Sequence, residues 1–191
     1  MYSIKKDSSY LYEIKKSKFY VDLYKINDID EIKKYLEDVK DKYKDATHYC
    51  YAYILNGSRK AVDDGEPSGT AGIPILEVLD KKNLNYILCI VTRYFGGIKL
   101  GAGGLVRAYS NSVVEAINNN EIIELIDGLE IELTTTYDNK KDIEYLFKDN
   151  IKEAKYEEKI TYILNIEKDN INKLSNYEYK VLREIQIEKR D

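Results

Sequence analysis

The sequence is poor in the residues that cross-link a chain or serve in catalysis. Its 191 residues include no tryptophan, one methionine, one histidine, two prolines and two cysteines. Cys50 and Cys89 form no CxxC spacing, which argues against a zinc site or a disulfide framework and fits a reducing compartment. Because His48 is the only histidine, any mechanism that requires an imidazole has to use it.

Long apolar runs and a strong charge of one sign are also missing. The longest apolar stretch, Tyr86 to Val91, is too short to span a bilayer, and the N-terminus has no apolar signal segment. We therefore expect a cytoplasmic protein without a membrane partner. The net charge is −4, with a small basic excess in residues 1–119 and an acidic excess in residues 120–191. Neither part has the strongly basic balance of a dedicated nucleic-acid binder, so such binding would need a local patch.

Glycine is present but unevenly distributed. Nine of the ten glycines and both prolines lie between Gly57 and Gly104. They fall in two segments, which we call the acidic loop (Asp63–Gly72, DDGEPSGTAG) and the glycine loop (Gly96–Gly104, GGIKLGAGG). Ordering glycine costs backbone entropy, so a cluster marks positions that need a positive φ or a close approach of another group. Two such loops predict a shared site lined by backbone.

Hydrophobic periodicity predicts alternating strands and helices in residues 1–119. Asp28 resembles a helix N-cap, with Glu31 three residues later as in a capping box, and apolar residues follow at helical spacing. The predicted strands are Lys18–Ile26, Thr47–Leu55 and Asn85–Tyr94, and the predicted helices start near Asp28, Ile73 and Gly103. The last of these helices runs to about Asn118.

The three residues Asn118–Asn120 form the predicted domain boundary, which gives domains 1–119 and 120–191. Beyond it, alternating strand patterns and short helical segments follow in the order strand, helix, strand, strand, helix, strand. That order is the ferredoxin-like split βαβ arrangement, so the fold class is α+β. The acidic second domain either supports the first or docks a protein partner.

The glycine loop lies between a strand that ends in Arg93 and a helix N-terminus, which is a general anion-binding geometry. Its spacing matches neither a Walker A loop nor a dinucleotide fingerprint. The alternative is a tight strand–helix connection with solvated charges. The candidate nucleic-acid or anion-binding residues are Arg93, Tyr94, Gly96, Gly97, Lys99, Gly101, Gly103, Gly104 and Arg107.

The acidic loop and His48 offer two further interpretations. Carboxylates and hydroxyls of the loop could hold Mg²⁺ or act in acid–base chemistry, or they could cap backbone amides and orient the arginines. These residues are Asp63, Asp64, Glu66, Ser68 and Thr70. His48 and Cys50 share a strand face and could form a nucleophilic pair, or they could be a core cysteine beside a hydrogen-bonded histidine. We predict no catalytic residues, no metal and no cofactor.

Both loops also carry a family resemblance. The segment DDGEPSGTAGIPILEVL followed by VTRYFGGIKLGAGGLVRAYS closely resembles the signature of the IMPACT/YigZ family, and KSKFY and DATHYC resemble its earlier landmarks. The match spans about residues 10–118. The resemblance implies a first domain with the fold of domain two of ribosomal protein S-five. It also implies a ferredoxin-like second domain similar to the last domain of elongation factor G.

For function, the resemblance implies a link to translation. Eukaryotic members regulate translation during amino-acid starvation, largely through an additional RWD domain that we do not expect in this sequence. The shared domain has been proposed to bind nucleic acid or ribosomal components, and no established reaction accompanies it. The leading hypothesis is a non-catalytic translation-associated regulator that binds RNA or the ribosome through its glycine-rich face. The alternatives are a Mg²⁺-dependent nucleotide- or phosphate-binding enzyme that uses the same loops, and an adaptor whose acidic second domain binds a protein.

Overall fold

A computed structural model describes residues 1–189 of the chain. The chain divides into two compact units, the first comprising Met1–Ile123 and the second starting at Glu124. Each unit combines a β-sheet with helices, so the predicted mixture of strands and helices in both parts is confirmed. No helix within residues 1–189 is long and apolar enough to cross a bilayer.

The first unit contains a five-stranded antiparallel sheet. Its strands are β2 (Ser8–Ile14), β3 (Ser17–Lys25), β4 (His48–Leu55), β5 (Ser58–Val62) and β6 (Ile87–Tyr94), and a short strand β1 (Tyr2–Ile4) precedes them outside this sheet. The sheet order is β2-β3-β6-β4-β5, so β6 lies at its centre. The sequence predicted the three inner strands and missed both edge strands, β2 and β5. Edge strands bury less of each face, so their apolar alternation is weak.

Three helices cover the two faces of this sheet. They are α1 (Glu31–Lys42), α2 (Gly72–Lys81) and α3 (Ala102–Asn118). The larger apolar core lies between the sheet and helices α2 and α3, and a smaller one lies under α1 on the opposite face. Asp28 was predicted as the N-cap of α1, but the N-cap position is Asp30. The predicted capping contact is present in part, since the Glu31 carboxylate accepts the N–H of Asp28 at 2.8 Å.

The second unit follows the predicted order of elements. They are β7 (Ile122–Thr135), α4 (Lys140–Phe147), β8 (Ile151–Tyr156), β9 (Ile160–Glu167), a 3-10 helix (Lys168–Leu174) and β10 (Glu178–Glu188). The strands pair antiparallel in the order β10-β7-β9-β8. Gly128 lies within β7, where a Cβ would come within 2.9 Å of the Ile166 carbonyl oxygen.

Candidate functional site

The register of the first sheet determines which predicted site residues share a face. Arg93 on β6 pairs with Phe19 on β3 and with His48 on β4. Residues directly opposite each other in a sheet project from the same face, so these three side chains project toward α2 and α3. Tyr94 is the next residue along the strand and projects from the other face. There its hydroxyl donates to the Lys44 carbonyl at 2.8 Å. Arg93 and Tyr94 are therefore not brought together in one site.

Arg93 is a buried ion-pair residue rather than an exposed phosphate contact. Its side chain is 6% exposed, and its Nη1 donates to Glu66 Oε1 at 2.5 Å. The guanidinium carbon lies 5.6 Å from the ring centres of both Phe19 and Phe95. Arg93 Nε is buried and has no hydrogen-bond partner within the described residues. Anion binding by Arg93 stays a prediction, and its pairing with Glu66 fits the alternative in which carboxylates of the acidic loop orient the arginines.

Glu66 is the centre of a small polar network. The Tyr109 hydroxyl on α3 donates to Glu66 Oε1 at 2.9 Å, and His48 Nε2 lies 3.8 Å from Glu66 Oε2. Burial raises the pKa of the Tyr109 phenol well above its usual range, and the neighbouring Cys50 and Glu66 raise it further. Tyr109 therefore stays protonated and acts as a hydrogen-bond donor. The network joins the acidic loop, two strands and α3.

His48 and Cys50 share the face that the strand pattern predicted, but they do not form a nucleophilic pair. His48 Nδ1 lies 2.8 Å from the backbone carbonyl of Asp64, so this nitrogen carries the proton. The Cys50 thiol donates to the carbonyl of Asp63 at 2.9 Å. Burial raises the pKa of the Cys50 thiol to about 12. A thiol that stays protonated at neutral pH is a poor nucleophile, and the core-cysteine alternative fits this geometry.

Asp63 connects the acidic loop to the start of α2. Its carboxylate accepts the backbone N–H groups of Gly69, Ala71 and Gly72 at 2.8 to 3.1 Å. Burial acts to raise the pKa of Asp63, but these three hydrogen bonds outweigh it and hold the pKa below its usual range. Asp63 therefore satisfies the N–H groups of the N-cap Ala71 and of Gly72, the first residue of α2, as a capping side chain does.

The other polar residues of the acidic loop do not join Asp63 in one cluster. Asp64 Oδ2 accepts the N–H of Tyr49 at 2.6 Å, and the Thr70 hydroxyl donates to the Pro67 carbonyl at 2.6 Å. Ser68 is exposed. In the part of the chain that the structure describes, no group of three or more His, Cys, Asp or Glu is arranged to hold a metal ion. Asp63 and Asp64 both accept backbone N–H groups, as the capping alternative for the acidic loop predicted.

The glycine loop has backbone features that require glycine. Gly97 and Gly101 have φ values of +82° and +71°, and a Cβ on Gly96 would collide with the backbone of Lys16. Gly101 is the N-cap of α3. No side chain among residues 1–189 caps this helix, and the N–H groups of Ala102, Gly103 and Gly104 have no hydrogen-bond partner there. The N-terminus of α3 is therefore open.

Two exposed cations flank the open helix end. Lys99 lies in the glycine loop, and Arg107 is one turn into α3. Arg107 Nη1 lies 3.9 Å from the position that a Cβ on Gly103 would take, so its side chain folds back over the first turn. The predicted grouping of glycine-loop amides with Lys99 and Arg107 is present in the structure. What they bind stays a prediction.

A pocket of about 360 Å³ lies beside this helix end. Its polar floor contains His48, Glu66 and Arg93, and Lys99 stands at its rim. We call it the α3 pocket, and its lining residues are Thr47, His48, Glu66, Pro67, Arg93, Phe95, Lys99, Leu100, Gly101, Ala102 and Leu105. Several of these residues lay outside the predicted site. Thr47 lies in the segment DATHYC, which carried the family resemblance but no site assignment, and Leu105 resembles any buried helix residue.

Comparison with known proteins finds similarity in the segment of the chain that contains both loops. The family model of the Impact N-terminal domain matches residues 15–117. The IMPACT family member YvyE of Bacillus subtilis is 44% identical over 126 residues, which cover 64% of this chain and 58% of that protein. The IMPACT family member YigZ of Escherichia coli is 40% identical over 110 residues, covering 55% of this chain and 54% of the relative.

This chain belongs to the IMPACT family. The family resemblance predicted from the two loops is confirmed. The aligned region spans between half and three-fifths of the length of these bacterial relatives. A crystal structure of a hypothetical protein matches 95% of this chain and 95% of its own, with a TM-score of 0.67 and 27% sequence identity. The matched family segment contains the acidic loop, the glycine loop and the whole α3 pocket.

Proposed function

We propose that this protein is a non-catalytic, translation-associated binding protein. It contacts RNA or a ribosomal component through the surface formed by the glycine loop and the first turn of α3. The observation that carries the proposal is the open N-terminus of α3 between two exposed cations, Lys99 and Arg107. The family resemblance supports the link to translation.

The chemistry of this surface suits a phosphate backbone. Free N–H groups at a helix N-terminus donate hydrogen bonds to anions, and the helix dipole favours negative charge there. Lys99 and Arg107 add formal charge, and Phe95, whose side chain is exposed, supplies an aromatic ring beside them. Phosphate contacts position a protein on RNA, while aromatic rings stack on its bases. Together these groups form a mixed electrostatic and stacking surface.

The enzymatic alternative lacks an observation in its favour. Asp63 and Asp64 each hydrogen-bond to backbone N–H groups, and Glu66 pairs with Arg93. The Cys50 thiol stays protonated at neutral pH. The protein partner predicted for the acidic second domain stays a prediction. We also propose that the two units adopt the two named folds that the resemblance implies, with the boundary near residue 120.

Binding of the purified chain to single-stranded RNA and to ribosomes, titrated at low and near-physiological salt, tests the proposal. The double variant Lys99→Ala/Arg107→Ala should weaken binding. It should also reduce the slope of log affinity against log salt by about 1.4, because each neutralised phosphate contributes roughly 0.7 for a single strand. The variant should unfold like the wild type, because neither side chain is buried.

The matched control removes two cations from elsewhere on the same unit. Lys33 and Lys34 are exposed on α1, on the opposite face of the sheet. The variant Lys33→Ala/Lys34→Ala should keep the wild-type affinity and salt slope. If both double variants weaken binding equally, the contact is non-specific attraction to basic charge, and the glycine loop is not the binding surface.

A further inference from the structure

We propose that the α3 pocket binds one unpaired nucleobase, which it recognises through a hydrogen-bond acceptor and a donor placed side by side at its floor. This inference rests on the proposed function and names the part of the RNA that enters the pocket. Lys99, at the rim, contacts the phosphate of the same nucleotide.

The floor of the pocket has unused hydrogen-bonding capacity on both members of one ion pair. Arg93 has five N–H donors, and within the described residues only Nη1 is used, for Glu66 Oε1. Arg93 Nε is buried without a partner. Glu66 Oε2 lies 3.8 Å from His48 Nε2, which is beyond hydrogen-bonding distance. Both members of the ion pair therefore keep hydrogen-bonding capacity that no described residue uses.

This pairing selects against simple ions. A free carboxylate or phosphate that approached Arg93 would meet the Glu66 carboxylate beside it, and a free cation would meet the guanidinium. A planar neutral group with its own adjacent donor and acceptor avoids both repulsions. The Watson–Crick edges of nucleobases have this arrangement, and proteins that recognise single-stranded RNA hydrogen-bond to those edges. Carboxylates accept from exocyclic amines, and arginine donates to ring nitrogen and carbonyl acceptors.

The walls of the pocket suit the flat faces of a base. Phe95 is 46% exposed and borders the pocket, and Leu100 and Leu105 add apolar surface. The volume of about 360 Å³ lies within the range of roughly 300–1,000 Å³ that ligand pockets occupy. A base inserted here would lie against the Arg93–Glu66 pair and use the hydrogen-bonding capacity that this pair retains.

The test compares a short single-stranded oligoribonucleotide with the same oligomer made abasic, which keeps every phosphate. The wild-type protein should bind the intact oligomer about tenfold more tightly, in line with the stacking of one base on an aromatic ring. Phe95→Ala should abolish most of this difference while leaving affinity for the abasic oligomer unchanged. Ile98→Ala is the matched control, since Ile98 is 44% exposed in the same loop and does not line the pocket.

A fluorescent base gives a second measurement that does not depend on affinity. An oligomer that carries 2-aminopurine should change its emission on binding the wild-type protein and Ile98→Ala, and much less on binding Phe95→Ala. Equal binding of intact and abasic oligomers by the wild type overturns the base pocket and leaves the proposed phosphate contact standing. If neither oligomer binds at low salt, both proposals fail.

Discussion

The acidic loop and the glycine loop of the first unit are similar in composition and position, but they differ in how the helix N-terminus after each loop is capped. Each is rich in glycine, and each leads into a helix that packs on one face of the sheet. In the acidic loop, the Asp63 carboxylate accepts the backbone N–H groups of Gly69, of the N-cap Ala71 and of Gly72, the first residue of α2. The glycine loop has no acidic residue, and the N-terminus of α3 is left open.

The difference in capping means that the acidic loop has a structural role, while the glycine loop leaves backbone N–H groups available to a ligand. A helix N-terminus needs acceptors, and either the protein or a bound molecule can supply them. At α2 the chain supplies its own carboxylate, so that end is closed. At α3, residues 1–189 supply two cations and no acceptor, which is why we propose an external anion as the partner of that helix end. Glu66 connects the acidic loop to strand β6 by pairing with Arg93 at the pocket floor.

The largest expected effect comes from breaking the ion pair between Glu66 and Arg93. Glu66→Leu leaves Arg93 buried without its counter-ion, and we expect a loss of about 3 kcal/mol in the free energy of unfolding. Urea unfolding of the full chain measures it. The double variant Glu66→Leu/Arg93→Met removes both charges and should recover most of the loss, because the cost arises from the unpaired charge. Equal stability of the single and double variants would show that the loss does not arise from the unpaired charge of Arg93.

We expect a smaller loss of stability when the capping of the α2 N-terminus by Asp63 is weakened. Asp63→Asn weakens three charge-assisted hydrogen bonds to backbone N–H groups, with an expected loss of about 2 kcal/mol. Because the pKa of Asp63 is lower in the folded than in the unfolded chain, its stabilisation is complete above the unfolded pKa of about 3.9. It is lost as the pH falls through the folded pKa.

Urea unfolding at neutral pH and at successively lower pH measures the difference between Asp63→Asn and the wild type. The two proteins should converge in stability as the pH falls below the pKa of the folded wild type. Asp64→Asn is a matched control, since Asp64 accepts a single backbone N–H and touches neither helix end. A difference that stays constant across the whole pH range would contradict the charge-based account of the cap.

The inner strands and long helices could be predicted because each depends on its own local pattern. The buried run from Ile87 to Tyr94 and the helical spacing after Ala102 predict β6 and α3 without reference to other segments. The edge strand β5 could not be predicted in the same way. Its sequence, SRKAV, is mostly polar, and it forms a strand because β4 offers an antiparallel partner across Asn56 and Gly57.

The candidate site was predicted as a region, and carboxylate–arginine pairing was one of the alternatives for the acidic loop, but the individual partners were not predicted. The glycine positions and the flanking Lys99 and Arg107 follow from composition at a helix start. Glu66 neutralises Arg93 because a side chain of the acidic loop reaches strand β6, 27 residues further along the chain. No rule of sequence spacing encodes such a contact. Tyr94 was misplaced because adjacent strand residues project from opposite faces, a consequence of the register of β6 with its neighbours.

The smallest effect on stability, and the most direct test of the contrast between the loops, comes from closing the open helix end. Ala102→Glu places a carboxylate in the first turn of α3, where Asp and Glu are favourable by about 0.3–1 kcal/mol. The protein should become slightly more stable while its RNA affinity falls, because the new carboxylate occupies the amides and repels phosphate. Ala102→Gln is the matched neutral control and should change both quantities less. Unfolding by urea and RNA titration at low salt measure the two effects, and a Glu variant that binds RNA as tightly as the Gln variant would place the phosphate contact away from this helix end.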